Sequence, residues 1–425
     1  MNYKKIEKDK YTLHLINTTR FKTINIEIYF SNLYNRKDRI YYTFLSSLLS
    51  KTTKKYNTRL KMNIKKEQLY GLGLSYSYFT IGKMQSFMTN ITFLNPKYVA
   101  EKLYDNVFSF LKEAFFNPNV INNKFDEKEY NFTLDGILTS IKRNKCNNNS
   151  YALEQFRKNF FDKTILKDAF YEKESVYKKI NNEDVYTFYK NMFSNNKIDI
   201  FVLGEFDEEL IIKKINNLFK NINNTINFNI DLYINNKIKD KVKEVKESKD
   251  YKQSIIMVGY KFKKLTDYES KYILPIYNLM LGGTSINNSI LFTNVREKNS
   301  LCYYIASYAY RYSSSIVIES LINKNNYDKV LNLIKNNIIM SKNTPNINDL
   351  FISSKKTLNI GLNDYYDNPY KIIERYFLSL YDNISTIEEA REIINNIDIN
   401  DVFKLSEKLI LDTVYFLEGN KNEGK

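Results

Sequence analysis

Histidine and cysteine are nearly missing from this chain of 425 residues, which contains one histidine, two cysteines and no tryptophan. A zinc site built from these side chains needs at least three ligands unless carboxylates substitute, so the composition excludes a histidine- or cysteine-based zinc centre. Two cysteines also cannot form a disulfide framework, which indicates a reducing compartment and favours the cytoplasm. Residues 1–11 are charged and lack the apolar core of a secretory signal. No run approaches the roughly 20 apolar residues of a membrane span, so we expect neither feature.

The net charge is +16, from 64 basic and 48 acidic residues. Such a charge can indicate nucleic-acid binding when the basic residues are clustered. Here they are scattered among acids, as in Lys239-Asp240-Lys241, and no basic block stands out. Glycine (11) and proline (5) are scarce, while Lys, Asn, Ile and Tyr abound, a pattern typical of an AT-rich genome. We therefore predict no specific nucleic-acid partner.

The two halves of the chain end in the same way. Residues 183–193 form a helix-like run that leads into the apolar strand 198–204, and residues 401–410 lead into the apolar strand 413–417. In both places a helix-start signal precedes a buried strand. The repetition predicts a duplicated domain.

The two halves also begin alike, with a strand (residues 23–30 and 253–260) followed by an amphipathic helix. The helix faces have the spacing i, i+3, i+4, i+7 and i+8, which turns one side toward a core. The predicted core residues are Tyr41, Phe44, Leu45, Leu48 and Leu49 in the first helix, and Ile273, Ile276, Tyr277, Met280 and Leu281 in the second. Pro275 lies inside the second helix and makes a regular helix there less favourable.

These patterns predict an α+β fold with two homologous domains, each a mostly antiparallel sheet covered by helices. The first domain spans residues 1–220 and the second spans residues 253–425. The stretch 221–252 between them is rich in Asn, Lys and Glu and is predicted to be a linker, or a linker with one short strand.

The most specific segment of the sequence is 278–303. It contains a Leu-Gly-Gly turn (281–283), a Ser-x-Leu-Phe run (289–292) and then Arg-Glu-Lys-x-x-Leu-x-Tyr (296–303). This order resembles the carboxy-terminal domain of the insulinase/pitrilysin-type zinc metallopeptidases. The resemblance implies a clam-like pair of repeated domains.

In active members of that family, an inverted zinc motif, His-x-x-Glu-His, lies on a helix early in the first domain and precedes a characteristic turn. Residues 49–56 resemble that turn, and counting back places the motif on Thr43, Ser46 and Ser47. Two imidazoles on one helix face bind the zinc, and the carboxylate deprotonates the zinc-bound water. Hydroxyl side chains cannot replace that set. The resemblance therefore implies a chain that is inactive alone and holds no metal or other cofactor.

The third zinc ligand of the family is a glutamate in a later charged helix. In this sequence Asp135 lies near the expected position, within the charged stretch 125–137. We favour a solvated helix face as the interpretation of these acids, because one carboxylate without the histidines does not hold zinc.

The family's carboxy-terminal domain also supplies an arginine and, seven residues later, a tyrosine that approach the substrate. Arg296 and Tyr303 have this spacing, and the resemblance implies substrate contacts for both. A guanidinium and a phenol are donors suited to a developing oxyanion. The alternative is a helix-capping arginine and an ordinary strand aromatic, and the neighbouring Tyr304 leaves open which ring points inward.

Some bacterial members are heterodimers in which one subunit carries the zinc motif and the other keeps only the Arg/Tyr pair. This chain resembles the second kind, which implies a zinc-bearing paralogue and a peptide substrate as partners. Residues 13–23 and 69–71 further resemble the zinc-less group associated with 5-aminopentanol modification of elongation factor P. The alternative function is a peptide-binding or scaffold protein with the peptidase fold and no role in proteolysis.

The remaining reactive side chains have structural interpretations. His14 lies in an alternating strand and is predicted to be a core residue. Cys302 lies inside the segment that resembles the family, where we expect a buried thiol rather than a nucleophile, and Cys146 is far from it in sequence.

Overall fold

Among the described residues, the strands form two large sheets, of six and five strands, on which helices pack, and one small sheet of two strands. The structure is a computed structural model that describes residues 1–99, 102–168, 171–226 and 228–420. The mixed helix and strand content confirms the predicted α+β class. Across these described ranges, none of the helices combines the length and the apolar character that a membrane span requires.

The first half of the chain contains the strands β1 (Asn2–Glu7), β2 (Thr12–Asn17), β3 (Thr23–Leu33), β4 (Gly73–Ile81), β5 (Met84–Leu94), β6 (Val120–Ile121), β7 (Lys124–Phe125) and β8 (Lys197–Gly204). Its helices are α1 (Arg36–Leu48), α2 (Arg59–Gln68), α3 (Leu103–Phe116), α4 (Glu127–Cys146), α5 (Asn148–Phe160), α6 (Glu174–Tyr177), α7 (Asn182–Asn195) and α8 (Glu208–Phe219).

The second half contains the strands β9 (Lys243–Lys249), β10 (Ser254–Phe262), β11 (Cys302–Tyr310), β12 (Ser315–Ile322) and β13 (Leu409–Gly419). Its helices are α9 (Leu274–Gly282), α10 (Tyr327–Asn337), α11 (Ile347–Gly361), α12 (Asp364–Asp367), α13 (Pro369–Leu378), α14 (Ile387–Asn396) and α15 (Ile399–Ser406).

The two sheets have the same topology. In the first, the order is β1-β2-β8-β3-β5-β4, and in the second it is β11-β12-β10-β13-β9. Read from one edge, β4-β5-β3-β8-β2 corresponds strand by strand to β11-β12-β10-β13-β9. In both sheets only the last pair, β8 with β2 and β13 with β9, is parallel. This correspondence confirms that the two halves repeat one architecture, with β1 as an addition to the first sheet.

The described residues fall into two compact units, and each unit contains a segment from the other half of the sequence. The first unit comprises Met1–Lys142, Tyr171–Leu232 and Tyr366–Asn383, and the second comprises Arg143–Phe170, Tyr233–Tyr365 and Ile384–Lys425. Helix α5 therefore belongs to the second unit and α13 to the first. The predicted division into 1–220, 221–252 and 253–425 stays a prediction. It did not include the exchange of segments that the two units show.

The two amphipathic helices that follow β3 and β10 bury the predicted faces. Phe44, Leu45, Leu48 and Leu49 are buried, Tyr41 is partly buried, and the five apolar residues predicted for the second helix are all buried. Pro275 is accommodated by a π-helical turn, Glu269–Ile273, directly before α9. Such a turn shifts the hydrogen-bond pattern where proline supplies no N–H.

Helix α13 covers the second face of the first sheet. The ring of Phe377 stacks on Tyr29 of β3 with a centroid separation of 3.9 Å. Beside this contact lies the buried carboxyl group of Glu27, which accepts a hydrogen bond from the Tyr29 hydroxyl. Burial raises the pKa of Glu27 to about 7. The hydrogen bond from Tyr29 opposes this rise, and the negative charge of Glu374 adds to it.

Helix α5 covers the second face of the second sheet. Its residues Phe156 and Phe160 lie over Gly259 of β10 so closely that a Cβ atom there would be 2.6 Å from the Phe160 ring. A side chain at position 259 therefore cannot fit without movement of α5. The glycine is required by this close approach.

A buried ion cluster lies next to this helix. The Asp412 carboxylate of β13 is 2.8 Å from Lys239 Nζ and 3.0 Å from Lys261 Nζ. Burial by itself raises the pKa of Asp412, but hydrogen bonds from Lys239 and the nearby charge of Lys261 hold it below its ordinary value. Lys239 belongs to the stretch predicted to be a linker, so the cluster fixes part of that stretch to the second sheet.

The substitution Glu27→Gln is expected to stabilise the protein at alkaline pH and to leave its stability unchanged at acid pH. The pKa of Glu27 is higher in the folded state than in the unfolded state, so wild-type stability falls as pH rises from about 4.5 to about 7. The glutamine variant avoids this loss, a gain of about 3 kcal/mol above pH 7. Urea unfolding of variant and wild type at about pH 5 and about pH 8.5 measures this difference in the free energy of unfolding. Exposed Glu67, changed to glutamine, is the control, and an equal gain at both pH values contradicts the prediction.

The substitution Asp412→Ala is expected to lower the free energy of unfolding by about 3–5 kcal/mol, because it leaves two lysines without their buried counter-charge. Denaturant unfolding at neutral pH measures the loss. Asp401→Ala is the matched control, since its pair with Lys404 is exposed and is expected to contribute less than about 1 kcal/mol. Similar losses in the two variants would be evidence against the importance of the cluster.

Candidate functional site

Helix α1 carries Thr43, Ser46 and Ser47, the three positions at which the sequence pattern predicts the family's zinc motif. The helix begins at Asn35, whose side chain accepts a hydrogen bond from the backbone N–H of Lys37 at 2.9 Å. The apolar face described above fixes its rotation. As a result, Thr43 is buried, and Ser46 and Ser47 are partly exposed.

The hydroxyl groups of Thr43 and Ser46 form hydrogen bonds within the protein. Thr43 Oγ1 donates to the carbonyl oxygen of Arg39 at 2.7 Å and lies 3.1 Å from the hydroxyl of Tyr78. Ser46 Oγ donates to the Thr43 carbonyl at 3.1 Å. This arrangement offers neither an imidazole nor a carboxylate.

Aromatic rings enclose the same position. Burial raises the pKa of Tyr177 to about 12, and a hydrogen bond with Thr43 partly opposes this rise. Tyr78 stacks near Tyr42 of α1 at a centroid separation of 6.3 Å, and burial raises its pKa as well. The side of α1 around Thr43 is therefore occupied by neutral phenols.

In helix α4 the family pattern predicts a third zinc ligand, but the α4 carboxylate that acts on nearby Lys51 is Glu129, and it is paired with Arg59. Asp135 is exposed, and the buried residue nearby is Thr133, which accepts a hydrogen bond from Lys51 Nζ at 3.2 Å. Lys51 follows α1 directly, so Thr133 marks the part of α4 that approaches α1. Among the described residues there is no group of three or more His, Cys, Asp or Glu side chains that could hold a metal ion. A zinc centre does not fit these side chains.

Arg296 lies in a π-helical turn, Phe292–Glu297. Its side chain is exposed, and the guanidinium stands 5.0 Å from the centre of the Phe292 ring. Burial raises the pKa of the Cys302 thiol, while a hydrogen bond with Ser320 and the nearby charge of Arg296 oppose the rise. The influence on Cys302 places the guanidinium near the beginning of β11.

Tyr303 lies at a β-bulge in β11. Cys302 pairs with Ile322 and Tyr304 pairs with Leu321, so Tyr303 is the extra residue of its strand. A bulge turns a side chain away from the regular alternation, and Tyr303 is 53% exposed. The segment between the π-helical turn and this bulge is short and hydrogen-bonded, with Ser300 N–H donating to the Arg296 carbonyl at 3.0 Å.

The neighbouring ring of Tyr304 has a different environment. Its hydroxyl lies 2.6 Å from that of Tyr308 on the same strand, and Tyr304 is only partly exposed. The exposed phenol of the pair is therefore Tyr303, the residue with the family spacing. The π-helical turn and the bulge, which set this geometry, have no signal in the sequence.

The remaining reactive groups are packed. His14 is fully buried, with Nε2 at 3.2 Å from Asp199 Oδ1 and Nδ1 at 2.9 Å from the Tyr3 hydroxyl. Burial lowers its pKa, although the hydrogen bond with Asp199 opposes the shift. Both cysteines are free; Cys302 is partly buried and Cys146 is exposed.

Comparisons with known proteins agree with this picture. The family model for the peptidase M16 inactive domain matches residues 179–350, which include the Arg296–Tyr303 segment. A protein of Bacillus subtilis (strain 168), described as the probable inactive metalloprotease YmfF, is 24% identical over 445 residues and is matched over 99% of both chains.

Three solved structures share the fold. A conserved protein from Enterococcus faecalis V583 has a TM-score of 0.91 with 22% identity, over 100% of both chains. A protease from Helicobacter pylori has a TM-score of 0.76 with 12% identity, over 98% of this chain and 99% of that one. A peptidase M16 inactive domain from Pseudomonas fluorescens has a TM-score of 0.76 with 12% identity, over 99% of both chains.

The family model covers the segment from Arg296 to Tyr303, and the match to the Bacillus subtilis protein extends along the whole chain. Residues 179–350 of this chain are therefore similar to the peptidase M16 inactive domain, and the whole chain resembles a probable inactive metalloprotease.

Proposed function

We propose that this chain is the non-catalytic subunit of a two-subunit M16-type peptidase. It completes a peptide-binding chamber with a zinc-bearing paralogue and contacts the peptide through Arg296 and Tyr303. The observation that carries the proposal is the combination of hydroxyl groups at the zinc-motif positions with an exposed arginine and tyrosine at the family spacing.

The two side chains are suited to bind a peptide carbonyl. A guanidinium and a phenol are hydrogen-bond donors, and donors aimed at a carbonyl oxygen stabilise the negative charge that develops there during hydrolysis. The arginine stays charged at all physiological pH values. Both residues belong to one short segment of the second unit, which supports a joint role.

The metal in this proposal belongs to the partner. A zinc ion lowers the pKa of its bound water and so supplies the nucleophile. In this chain, Thr43, Ser46 and Ser47 leave nothing to bind the ion or to take the proton. The contribution of this subunit is therefore to bind and orient the peptide.

A narrower assignment concerns the biological setting. The resemblance at residues 13–23 and 69–71 supports a place in the group associated with 5-aminopentanol modification of elongation factor P. That link stays a prediction, and the peptide that the pair cleaves is not specified by it.

We expect the mixture of this chain with its zinc-bearing paralogue to hydrolyse peptides that neither protein hydrolyses alone. In the mixture, Arg296→Ala should lower kcat/KM by roughly 10²-fold, the effect of removing one oxyanion donor. Tyr303→Phe should lower it less, because the ring remains. Steady-state hydrolysis of a quenched fluorescent peptide measures both effects.

Lys298→Ala is the matched control, since this lysine is exposed on the same short segment and has no proposed role. Wild-type activity in the Arg296→Ala mixture would rule out the proposed contact. A complex that forms without any hydrolysis would instead favour the scaffold function.

The zinc of the active mixture is expected to lie entirely in the paralogue. Isolated wild-type chain dialysed against zinc should retain much less than one equivalent, because its site lacks two histidines and a carboxylate. A chelator added to the mixture should abolish hydrolysis. Mixing fresh zinc-loaded paralogue with this chain, which has not been loaded with zinc, should give full hydrolysis. Atomic absorption of the separated proteins measures the metal, and one tightly held zinc per isolated chain would refute this assignment.

A further inference from the structure

Helix α5 covers only part of the second face of the second sheet, and side chains of strand β11 on that sheet are exposed. Helix α5 packs on β10 and β13 through the apolar cluster that includes Phe156 and Phe160. Strand β11 is the edge strand on the other side of the sheet. Along β11, Tyr308 is 38% exposed and Tyr304 is partly exposed.

The strand register brings a carboxylate to this open part. Ala306 of β11 lies directly opposite Glu319 of β12, so the two side chains share a face. Tyr304 and Tyr308 are two residues before and after Ala306 and therefore point to the same face. Ala306 is too small to fill the space between the two rings, whose hydroxyls meet at 2.6 Å.

Within the described ranges, the carboxylate of Glu319 is not part of an ion pair. No described residue forms a salt bridge or a hydrogen bond with its side chain, and its neighbour across β10 is the apolar Met257. Burial raises the pKa of Glu319. Its charge in turn raises the pKa of Tyr308, after the larger effects of burial and of Tyr304. A partly buried carboxylate without a partner is unfavourable, and a bound cation would relieve that cost.

We propose that Glu319, Tyr304 and Tyr308 form a subsite for a lysine or arginine side chain of the bound peptide. The carboxylate pairs with the cation, and the two phenol rings border it and contact its stem. The subsite begins one residue after Tyr303 on the same strand. It rests on the proposed function, because it assigns the charge of a peptide that this function requires.

A basic peptide fits this position better than a metal ion. Calcium and magnesium are bound by several oxygen ligands, usually with more than one carboxylate. Here a single carboxylate lies on the neighbouring strand, opposite Ala306 and on the same face as the two phenols. A long side chain with a terminal charge and an apolar stem matches a single acid bordered by rings.

The test compares two short labelled peptides that differ only by lysine or norleucine at one central position. Fluorescence anisotropy with the full-length chain measures their binding. We expect the lysine peptide to bind about fivefold more tightly, a typical effect of one partly exposed charge pair with an aromatic border. In the Glu319→Gln variant the two peptides should bind within about twofold of each other, because the attractive charge is gone.

Control variants separate this subsite from the carbonyl contact. Arg296→Ala should weaken both peptides by the same factor and leave the lysine preference intact. Glu297→Gln removes an exposed carboxylate from the same segment and should change neither. Tyr308→Leu should reduce the preference, whereas Tyr308→Phe should retain most of it, and this pair carries the test if the Glu319 variant does not fold.

Equal binding of the two peptides by the wild-type chain, or binding of neither, overturns the subsite. A lysine preference that persists in both Glu319→Gln and Tyr308→Leu also overturns it. These outcomes leave the hydrolysis experiment with Arg296→Ala unaffected, so the failure of one proposal is distinguishable from the failure of the other.

Discussion

Both faces of each sheet have to be covered, and this requirement organises the whole chain. Side chains alternate between the faces of a strand, so a central strand with apolar residues throughout is stable only between two layers. All nine residues of β10 are buried. The helices that cover the second faces, α5 and α13, come from the opposite halves of the sequence. Neither half therefore completes its own unit, and the two have to fold as parts of one protein.

This shared framework explains how a catalytic site can be lost while the fold persists. The rotation of α1 is set by Phe44, Leu45 and the other buried residues on its core side. Thr43, Ser46 and Ser47 are small polar residues of the same helix, and Thr43 and Ser46 donate hydrogen bonds to its backbone. Thr43 also contacts the hydroxyl of Tyr78. Replacing zinc ligands with these small side chains does not disturb the packing. The zinc chemistry and the fold thus depend on different residues of the same helix.

The second unit has kept features that a purely structural role does not require. An exposed arginine, an exposed bulge tyrosine and an unpaired Glu319 lie on or beside the edge strand β11. The hydroxyl side chains in the first unit and the exposed donors in the second are the features on which the proposed division of labour with a zinc-bearing partner rests.

Much of the fold was predictable from local patterns. The duplicated strands and the two amphipathic helices follow from periods of two and of about 3.6 residues, which side-chain geometry imposes on any buried strand or helix. The arginine and tyrosine were identifiable by their spacing and by resemblance to the family. The exchange of α5 and α13 was not predictable, since a helix with one apolar face does not specify which of two similar sheets it will cover. The unpaired state of Glu319 was also hidden, because it depends on the register of β12 with β11 and β10.

The sequence by itself determined that this chain cannot hold a histidine-based zinc site, since one histidine, His14, is all it has. It also determined the duplicated α+β architecture, because apolar residues recur with the spacing of strands and helices in both halves of the chain. Only the tertiary structure decided that His14 is buried against Asp199, that Tyr303 rather than Tyr304 is the exposed ring, and that Glu319 lies opposite Ala306, on the same face as Tyr304 and Tyr308. These facts arise from contacts between residues far apart in sequence and from a one-residue bulge, and neither has a local signature.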